Sequence, residues 1–124
     1  MEQFKGQKIL VVEDNLISYK LIEAHLKKRN LHLIHAENGF EAIEAFRNHP
    51  DIQVVLMDIQ LPEINCLEVT KKLCSMNPDI PVIATTANAF DEDRIACEKA
   101  GCKDFITKPI SFPLLIELIK EYTH

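Results

Sequence analysis

The sequence lacks a long apolar run. Its longest uninterrupted apolar segments, Ile9–Val12 and Val54–Met57, are far shorter than the roughly 20 residues that a helix needs to cross a bilayer. The N-terminal residues MEQFKGQK also lack the apolar stretch of a secretory signal peptide. We therefore expect a cytoplasmic domain that makes no contact with a membrane.

Positive charge is in deficit as well. The 14 lysines and arginines are outnumbered by 19 aspartates and glutamates, which gives a net charge of -5 at pH 7. Because nucleic acids carry a dense negative charge, we expect no direct nucleic-acid binding by this chain. Repeats, linkers and low-complexity segments are absent too, so the 124 residues are predicted to form one domain, 1–124.

Metal-binding and disulfide motifs are also missing. No two of the four cysteines are spaced as CxxC, and the five histidines are scattered without the spacing of zinc ligands. A zinc site and a disulfide-rich secreted fold are therefore not predicted. We expect reduced, mostly buried thiols at Cys66, Cys74, Cys97 and Cys102.

What the sequence does contain is an alternation of two patterns from end to end. Short apolar runs that are typical of buried strands are each followed by a longer stretch with helical spacing of apolar residues. This order predicts a βα unit repeated five times, in a parallel sheet that helices cover on both faces. Right-handed crossovers then favour a doubly wound α/β fold. The predicted strands are Ile9–Val12, Leu31–Ile34, Val54–Met57, Val82–Ala84 and Asp104–Ile106.

Local signals mark several helix ends. Asn38 and Glu41 have the spacing of a capping box ahead of the second helix, and Ser111 suits the N-cap of the last helix. Gly101 suits the C′ position of the fourth helix, where a left-handed backbone is needed. Pro78 ends the third helix.

Polar side chains follow four of the predicted strands, at the point where each strand ends. Glu13 and Asp14 follow the first strand, Asp58 the third, Thr86 the fourth and Lys108 the fifth. In a doubly wound sheet, ligands bind outside the carboxyl ends of the strands. We therefore expect these side chains to converge on one rim of the sheet.

These residue types suit phosphoryl transfer. The carboxylates of Asp14 and Asp58 are hard oxygen ligands for Mg²⁺, and an aspartate can itself accept a phosphoryl group. Lys108 and Thr86 would neutralise and hydrogen-bond the phosphoryl oxygens. Each residue alone has an ordinary structural role, since a strand-end aspartate such as Asp14 is commonly a helix N-cap. Their joint occurrence at the right strand ends favours the functional interpretation.

Four segments resemble the response regulator receiver family, over essentially the whole chain. They are ILVVEDN (Ile9–Asn15), VVLMDIQLP (Val54–Pro62), PVIATTANA (Pro81–Ala89) and AGCKDFITKPI (Ala100–Ile110). The resemblance implies a flavodoxin-like α/β fold with a five-stranded parallel sheet, strand order 2-1-3-4-5, and five helices. It also implies a single receiver domain that takes a phosphoryl group from a phosphohistidine. The donor would be a histidine kinase core or a histidine phosphotransfer domain.

The resemblance assigns roles to the acidic cluster. Asp58 would be the phosphoacceptor. Asp14, Asp58 and the backbone carbonyl of Gln60 would bind Mg²⁺, with Glu13 acting mainly through water. The side chains of Gln60 and Asn88 would flank the path of the attacking water and tune the lifetime of the phosphorylated state.

The resemblance also implies a conformational switch. Lys108 would bind the phosphoryl group, with a cis bond before Pro109. Thr86 would move to the phosphate, and Phe105 would turn inward behind it. The surface of the fourth helix, fifth strand and fifth helix would then change its partner preference, and a dimer through this surface is a further expectation.

Three short segments predict which kind of protein this receiver belongs to. Receivers attached to hybrid sensor histidine kinases carry segments similar to MDIQLP, TTANA and the N-terminal KGQKILVVEDN of this chain. This similarity implies a segment of such a kinase, which would be the cytoplasmic part of a membrane-bound protein. The alternative is a stand-alone response regulator. Since the chain ends just past the fifth helix, no output domain is expected within it.

One position departs from the family pattern. The family usually carries a glycine shortly after Pro62, where this chain has Cys66. Glycine there suggests a positive φ, which a cysteine adopts only at a cost. We expect an altered loop with an intact phosphorylation site.

Three other functions are alternatives. A pseudo-receiver has the same fold but typically lacks an acid or the lysine, all of which are present here. An aspartate-nucleophile phosphatase commonly has a second carboxylate two residues after the nucleophile, where this chain has Gln60. A flavodoxin-like cofactor binder needs a phosphate-cradling loop after the first strand, where Glu13 and Asp14 would repel a phosphate.

Overall fold

The computed structural model describes residues 4–59, 66–87 and 91–123, without the side chains of residues 66 and 91–93. Within this part of the chain, no helix is long and apolar enough to cross a bilayer. The strands are β1 (Lys8–Val12), β2 (His32–Ala36), β3 (Ile52–Asp58), β4 (Val82–Thr86) and β5 (Asp104–Thr107). The helices are α1 (Leu16–Lys27), α2 (Gly39–Asn48), α3 (Cys66–Met76), α4 (Asp91–Ala100) and α5 (Phe112–Tyr122).

The strands form one parallel sheet in the order β2-β1-β3-β4-β5. This is the doubly wound arrangement that the sequence predicts, so the predicted fold is confirmed. Each predicted strand is present, and most of them extend beyond the apolar run that marks them. Strand pairing through the backbone continues at polar residues such as His35 and Thr85. A prediction from apolar runs leaves such residues outside the strand.

Alternate residues of the central strands pack into two separate cores. Ile9 and Val11 of β1 pack with residues of α1 and α5 on one face of the sheet. Leu10 and Val12 pack with residues of α2, α3 and α4 on the other face. Burial on both faces explains why the strand reads as a continuous apolar run rather than as an alternating one.

Helix caps confirm the predicted starts of two helices and change the interpretation of a third. Asn38 and Ser111 are the N-caps of α2 and α5, as predicted. The N-cap of α1 is Asn15, whose Oδ1 accepts a hydrogen bond of 3.0 Å from the backbone N–H of Ser18. The interpretation of Asp14 as the cap is therefore wrong.

Gly101 ends α4 as predicted. Its φ is 117°, in the region that favours glycine. The N–H of Cys102 donates to the carbonyl of Cys97 at 2.9 Å, and the N–H of Gly101 donates to the carbonyl of Glu98 at 3.1 Å. These two bonds form a Schellman motif, which satisfies carbonyls that the last helical turn leaves open.

The cysteines that the structure describes are free thiols. Cys97 and Cys102 are buried, and Cys74 is half-buried. Burial, with a smaller contribution from Cys97, raises the pKa of the Cys102 thiol to about 12, so this group stays protonated at neutral pH. The predicted reduced, mostly buried thiols are confirmed at these three positions, while the side chain of Cys66 lies outside the described residues.

A tyrosine joins the end of α5 to β5. The hydroxyl of Tyr122 donates a hydrogen bond to the carboxylate of Asp104. This hydrogen bond, together with burial and the carboxylate charge, raises the pKa of Tyr122 to about 12. Because the folded protein holds this proton more tightly than the unfolded chain does, the contribution to stability is complete below the ordinary tyrosine pKa of about 10. It is lost as the pH rises through about 12.

We therefore expect the free energy of unfolding to decrease between about pH 10 and about pH 12, and to decrease less in a Tyr122→Phe variant. Urea unfolding of both proteins across this range measures the difference. The phenylalanine variant is needed because burial and Glu23 also raise the pKa of Tyr19. Identical pH profiles for the two proteins would contradict the prediction.

Candidate metal centre

Three carboxylates meet at the carboxyl ends of β1 and β3. Glu13 and Asp14 directly follow β1, and Asp58 is the last residue of β3. The register places Val12 beside Met57, which brings the next residues of both strands together. One carboxylate oxygen from each of Glu13, Asp14 and Asp58 lies within 4.8 Å of the others.

Two of these carboxylates are removed from solvent. Glu13 is 2% exposed and Asp58 is 4% exposed, whereas Asp14 is exposed. Burial, followed by a hydrogen bond with Asp58 and its negative charge, raises the pKa of Glu13 to about 7, although Lys108 acts in the opposite direction. Burial and the neighbouring Asp58 therefore disfavour the ionised form of Glu13, and a nearby cation would favour it.

Lys108 reaches into the cluster from the loop after β5. Its Nζ lies 3.0 Å from Oδ2 of Asp58 and 3.5 Å from Oε1 of Glu13. Burial lowers the pKa of Lys108, but the hydrogen bonds and charges of Asp58 and Glu13 outweigh it and raise the pKa above its ordinary value. Lys108 is therefore a fixed positive charge beside Asp58 at neutral pH.

The main chain around Lys108 is anchored to the neighbouring strand. Its backbone N–H donates to the carbonyl of Thr86, the last residue of β4, at 2.7 Å. The peptide bond between Lys108 and Pro109 is cis. The ends of β4 and β5 thus contribute to the rim that β1 and β3 form, as the sheet topology predicts.

The donor set fits Mg²⁺. This ion prefers oxygen ligands, commonly takes one or two carboxylates from a protein, and keeps several of its waters. The cluster offers three carboxylates, of which the exposed Asp14 lies at the solvent side. Glu13, Asp14 and Asp58 are the described residues that would hold the ion. The predicted backbone ligand Gln60 lies outside the described residues.

The two predicted switch residues lie on adjacent strands. Thr86 is buried at the end of β4, and Phe105 is half-buried on β5, where it pairs with Ala84. The guanidinium carbon of Arg94, on α4, lies 5.5 Å from the centre of the Phe105 ring. The ring is therefore held between the sheet and α4 in this conformation. Asn88 lies outside the described residues.

Two of the described residues contact the cluster although the sequence does not predict them as site residues. The backbone N–H of Asn15 donates to Oε2 of Glu13 at 3.3 Å. Nε2 of His35, on β2, lies 2.8 Å from the backbone carbonyl oxygen of Glu13. Both contacts involve main-chain atoms, which residue types do not reveal. A histidine directly after the second apolar run was the available signal for His35.

Comparison with known proteins agrees with this geometry. Residues 9–120 match the family described as the response regulator receiver domain. The chain belongs to this family. The relatives of the receiver include the polar-differentiation response regulator DivK of Brucella anthropi, which is 44% identical over 117 residues. That alignment covers 92% of this chain and 94% of the relative. DivK of Brucella ovis is 43% identical over the same shares of both chains.

Solved structures give the same fold. The receiver domain of the sensor histidine kinase PA1611 of Pseudomonas aeruginosa, with magnesium in its active site cleft, is 30% identical with a TM-score of 0.86. It covers 95% of this chain and 98% of that domain. The receiver domain of Ssk1 of Saccharomyces cerevisiae, solved with the histidine phosphotransfer protein Ypd1, is 26% identical with a TM-score of 0.89. That match covers 98% of this chain and 91% of that one.

Proposed function

We propose that this receiver accepts a phosphoryl group on Asp58, with Mg²⁺ bound by Asp14 and Asp58 and supported by Glu13. The observation that carries the proposal is the position of Asp58. Its carboxylate lies between two further acids within 4.8 Å and the ammonium of Lys108 at 3.0 Å. A carboxylate in this setting can bind a cation through one oxygen and attack phosphorus with the other.

The reaction is a nucleophilic displacement at phosphorus. A carboxylate oxygen of Asp58 forms a bond to phosphorus as the bond from phosphorus to the donor breaks, and the donor nitrogen or oxygen keeps the electron pair. When bound, Mg²⁺ supplies charge neutralisation at the phosphoryl oxygens. Lys108 neutralises another phosphoryl oxygen, and the hydroxyl of Thr86 donates a hydrogen bond to a third.

The phosphorylated state would then favour a second conformation. A new dianion at Asp58 shifts an equilibrium by its differential interaction with the two states. Thr86 would move toward the phosphoryl group, and Phe105 would give up its contact with Arg94 and turn inward. The surface of α4, β5 and α5 would change its partner preference, and a dimer through this surface stays a prediction. Lifetime tuning by Gln60 and Asn88 also stays a prediction.

The proposed partners are proteins that carry phosphohistidine. The Ssk1 receiver was solved with a histidine phosphotransfer protein, and the PA1611 receiver belongs to a sensor histidine kinase. Both similarities support a histidine kinase core or a phosphotransfer domain as the donor to this receiver. A cytoplasmic location agrees with this role.

Two contexts are compatible with that role. The DivK relatives are named response regulators and are matched over 94% of their length, which supports a stand-alone regulator. The 30% identity to the PA1611 receiver supports the prediction from short sequence segments that this receiver is part of a hybrid histidine kinase. The higher identity to DivK, 44% against 30%, favours the stand-alone regulator. The reading frame on either side of the coding sequence distinguishes the two.

Phosphorylation by a small donor tests the proposed function. Incubation of the purified chain with acetyl phosphate and Mg²⁺ should add the mass of one phosphoryl group, measured by intact mass spectrometry. Excess EDTA should prevent the gain, because the cation neutralises charge that Lys108 alone does not. A chain that gains no mass under these conditions would be a pseudo-receiver. Steady hydrolysis of a phosphomonoester would instead indicate a phosphatase.

A further inference from the structure

His35 makes a hydrogen bond that fixes the backbone of the acidic cluster. Its Nε2 lies 2.8 Å from the carbonyl oxygen of Glu13. Because a carbonyl oxygen can only accept, Nε2 must carry the proton and donate it. The N–H of Glu13 donates in turn to the carbonyl of Ala36 at 2.9 Å. Strand β2 therefore holds both polar backbone groups of Glu13.

The imidazole of His35 is itself held from α1. It stacks on the ring of Tyr19, with ring centroids 3.7 Å apart and an angle of 6° between the planes. Tyr19 is 6% exposed, and its backbone N–H donates to the carbonyl of Asn15 at 2.9 Å. The ring is thus clamped between β2 and the first turn of the helix that follows Asp14. A clamped ring offers its N–H in one direction.

The segment that His35 holds belongs to a crowded acidic cluster. One oxygen from each of Glu13, Asp14 and Asp58 lies within 4.8 Å of the others, and repulsion between any two ionised acids of this group favours conformations in which the segment after β1 moves away. The Nζ of Lys108 lies 3.5 Å from Oε1 of Glu13, farther than its 3.0 Å from Oδ2 of Asp58. Backbone restraint therefore helps to keep the carboxylates together before a cation arrives.

We propose that His35 is a positioning residue for Mg²⁺: its Nε2–H holds the Glu13 carbonyl and so keeps Glu13 and Asp14 facing Asp58. This inference rests on the proposed function, because it concerns the same metal site. His35 contacts neither the ion nor the phosphoryl group in this role. Partners of this outer kind typically change metal affinity by about 10- to 100-fold when they are removed.

Two substitutions separate donation from packing. His35→Phe keeps a planar ring against Tyr19 and removes the donor. His35→Gln keeps an N–H donor and removes the ring. We expect His35→Phe to weaken Mg²⁺ binding about tenfold. We expect His35→Gln to lose clearly less affinity than His35→Phe, because it keeps a donor although it loses the clamped ring.

The chain contains a matched control for the aromatic stack. His25 stacks on Phe112 with centroids 3.8 Å apart and an angle of 7°, nearly the geometry of His35 on Tyr19. A His25→Phe variant makes the same chemical change on α1, and the hydrogen bonds described above for Glu13, Asp58 and Lys108 go to other residues. Its Mg²⁺ affinity should equal that of wild type.

Isothermal titration calorimetry with MgCl₂ at one fixed pH measures all four proteins without phosphorylation. If wild type binds no Mg²⁺, the proposed function itself fails. If wild type binds and His35→Phe binds equally well, the positioning role is overturned while the proposed function stands. Equal losses in His35→Phe and His35→Gln would also overturn it, because they would indicate packing rather than donation.

Nuclear magnetic resonance of the wild-type imidazoles gives a second measurement that needs no variant. Long-range ¹H–¹⁵N correlation should show His35 with its proton on Nε2, and addition of Mg²⁺ should shift this resonance more than those of His25. A proton on Nδ1 alone, or no response to Mg²⁺ in a protein that binds it, would overturn the proposal.

Discussion

Replacement of Asp58 by asparagine should reduce phosphoryl incorporation by at least about 10³-fold. The amide has nearly the shape of the carboxylate, so the β3 end should keep its place in the sheet. The amide lacks the negatively charged oxygen that attacks phosphorus. It is also a poor ligand for Mg²⁺ beside Glu13 and Asp14. Intact mass spectrometry after incubation with acetyl phosphate and Mg²⁺ measures the loss.

The chain offers a matched control for this substitution at the opposite end of the sheet. Asp51, just before β3, has its Oδ2 2.9 Å from Nζ of Lys8, much as Asp58 lies 3.0 Å from Lys108. The Asp51 side chain is 62% exposed, and it follows no strand at the carboxyl rim. Asp51→Asn should be phosphorylated like wild type. Full mass gain in Asp58→Asn, with the phosphoryl group mapped to another residue, would contradict the assignment of Asp58.

The fold follows from features that the sequence displays directly. Runs such as Ile9–Val12 and Val54–Met57 are apolar throughout because both faces of β1 and β3 are covered. Gly101 is predictable at C′ because a left-handed residue is needed there. The apolar pattern does not predict the ends of β2 and β4, since His35, Thr85 and Thr86 pair through their backbones whatever their side chains are.

The candidate site was predictable in part, for a geometric reason. Parallel strands bring their carboxyl ends to one edge, so Glu13, Asp58 and Lys108 had to lie near one another once the topology was known. Their distances depend on strand register and on the anchoring of the β5–α5 loop to Thr86, which residue types do not encode. Residue type also does not predict that Asn15 rather than Asp14 is the N-cap of α1, because both side chains can cap a helix.

At Gly101, too, the sequence predicts the local backbone conformation but not the tertiary contact. The sequence indicates that a glycine is needed at this helix end, but it does not show what lies against its α-carbon. A Cβ built on Gly101 would lie 2.7 Å from Sγ of Cys74, on α3. The close approach of α3 and the end of α4 therefore leaves little room for a side chain at a position whose positive φ already favours glycine.

Gly101→Ala should lower the free energy of unfolding by about 2–4 kcal/mol, because a left-handed backbone that carries a side chain costs about 1 kcal/mol and the overpacked contact costs about 1–3 kcal/mol more. Urea unfolding followed by circular dichroism measures the change. Adding Cys74→Ala to this variant removes Sγ, which leaves the backbone strain and relieves the contact. The double variant should therefore be more stable than the sum of the two single effects predicts.

Gly6→Ala separates the two costs. Gly6 has a φ of 82°, and a Cβ built there would meet no atom within 4 Å. This variant should lose about 1 kcal/mol from backbone strain alone. If Gly101→Ala is destabilised no more than Gly6→Ala, the contact with Cys74 contributes nothing and the close packing of α3 against the end of α4 does not restrict this position. A strictly additive double variant would lead to the same conclusion, because the coupling between Gly101 and Cys74 is what the 2.7 Å separation predicts.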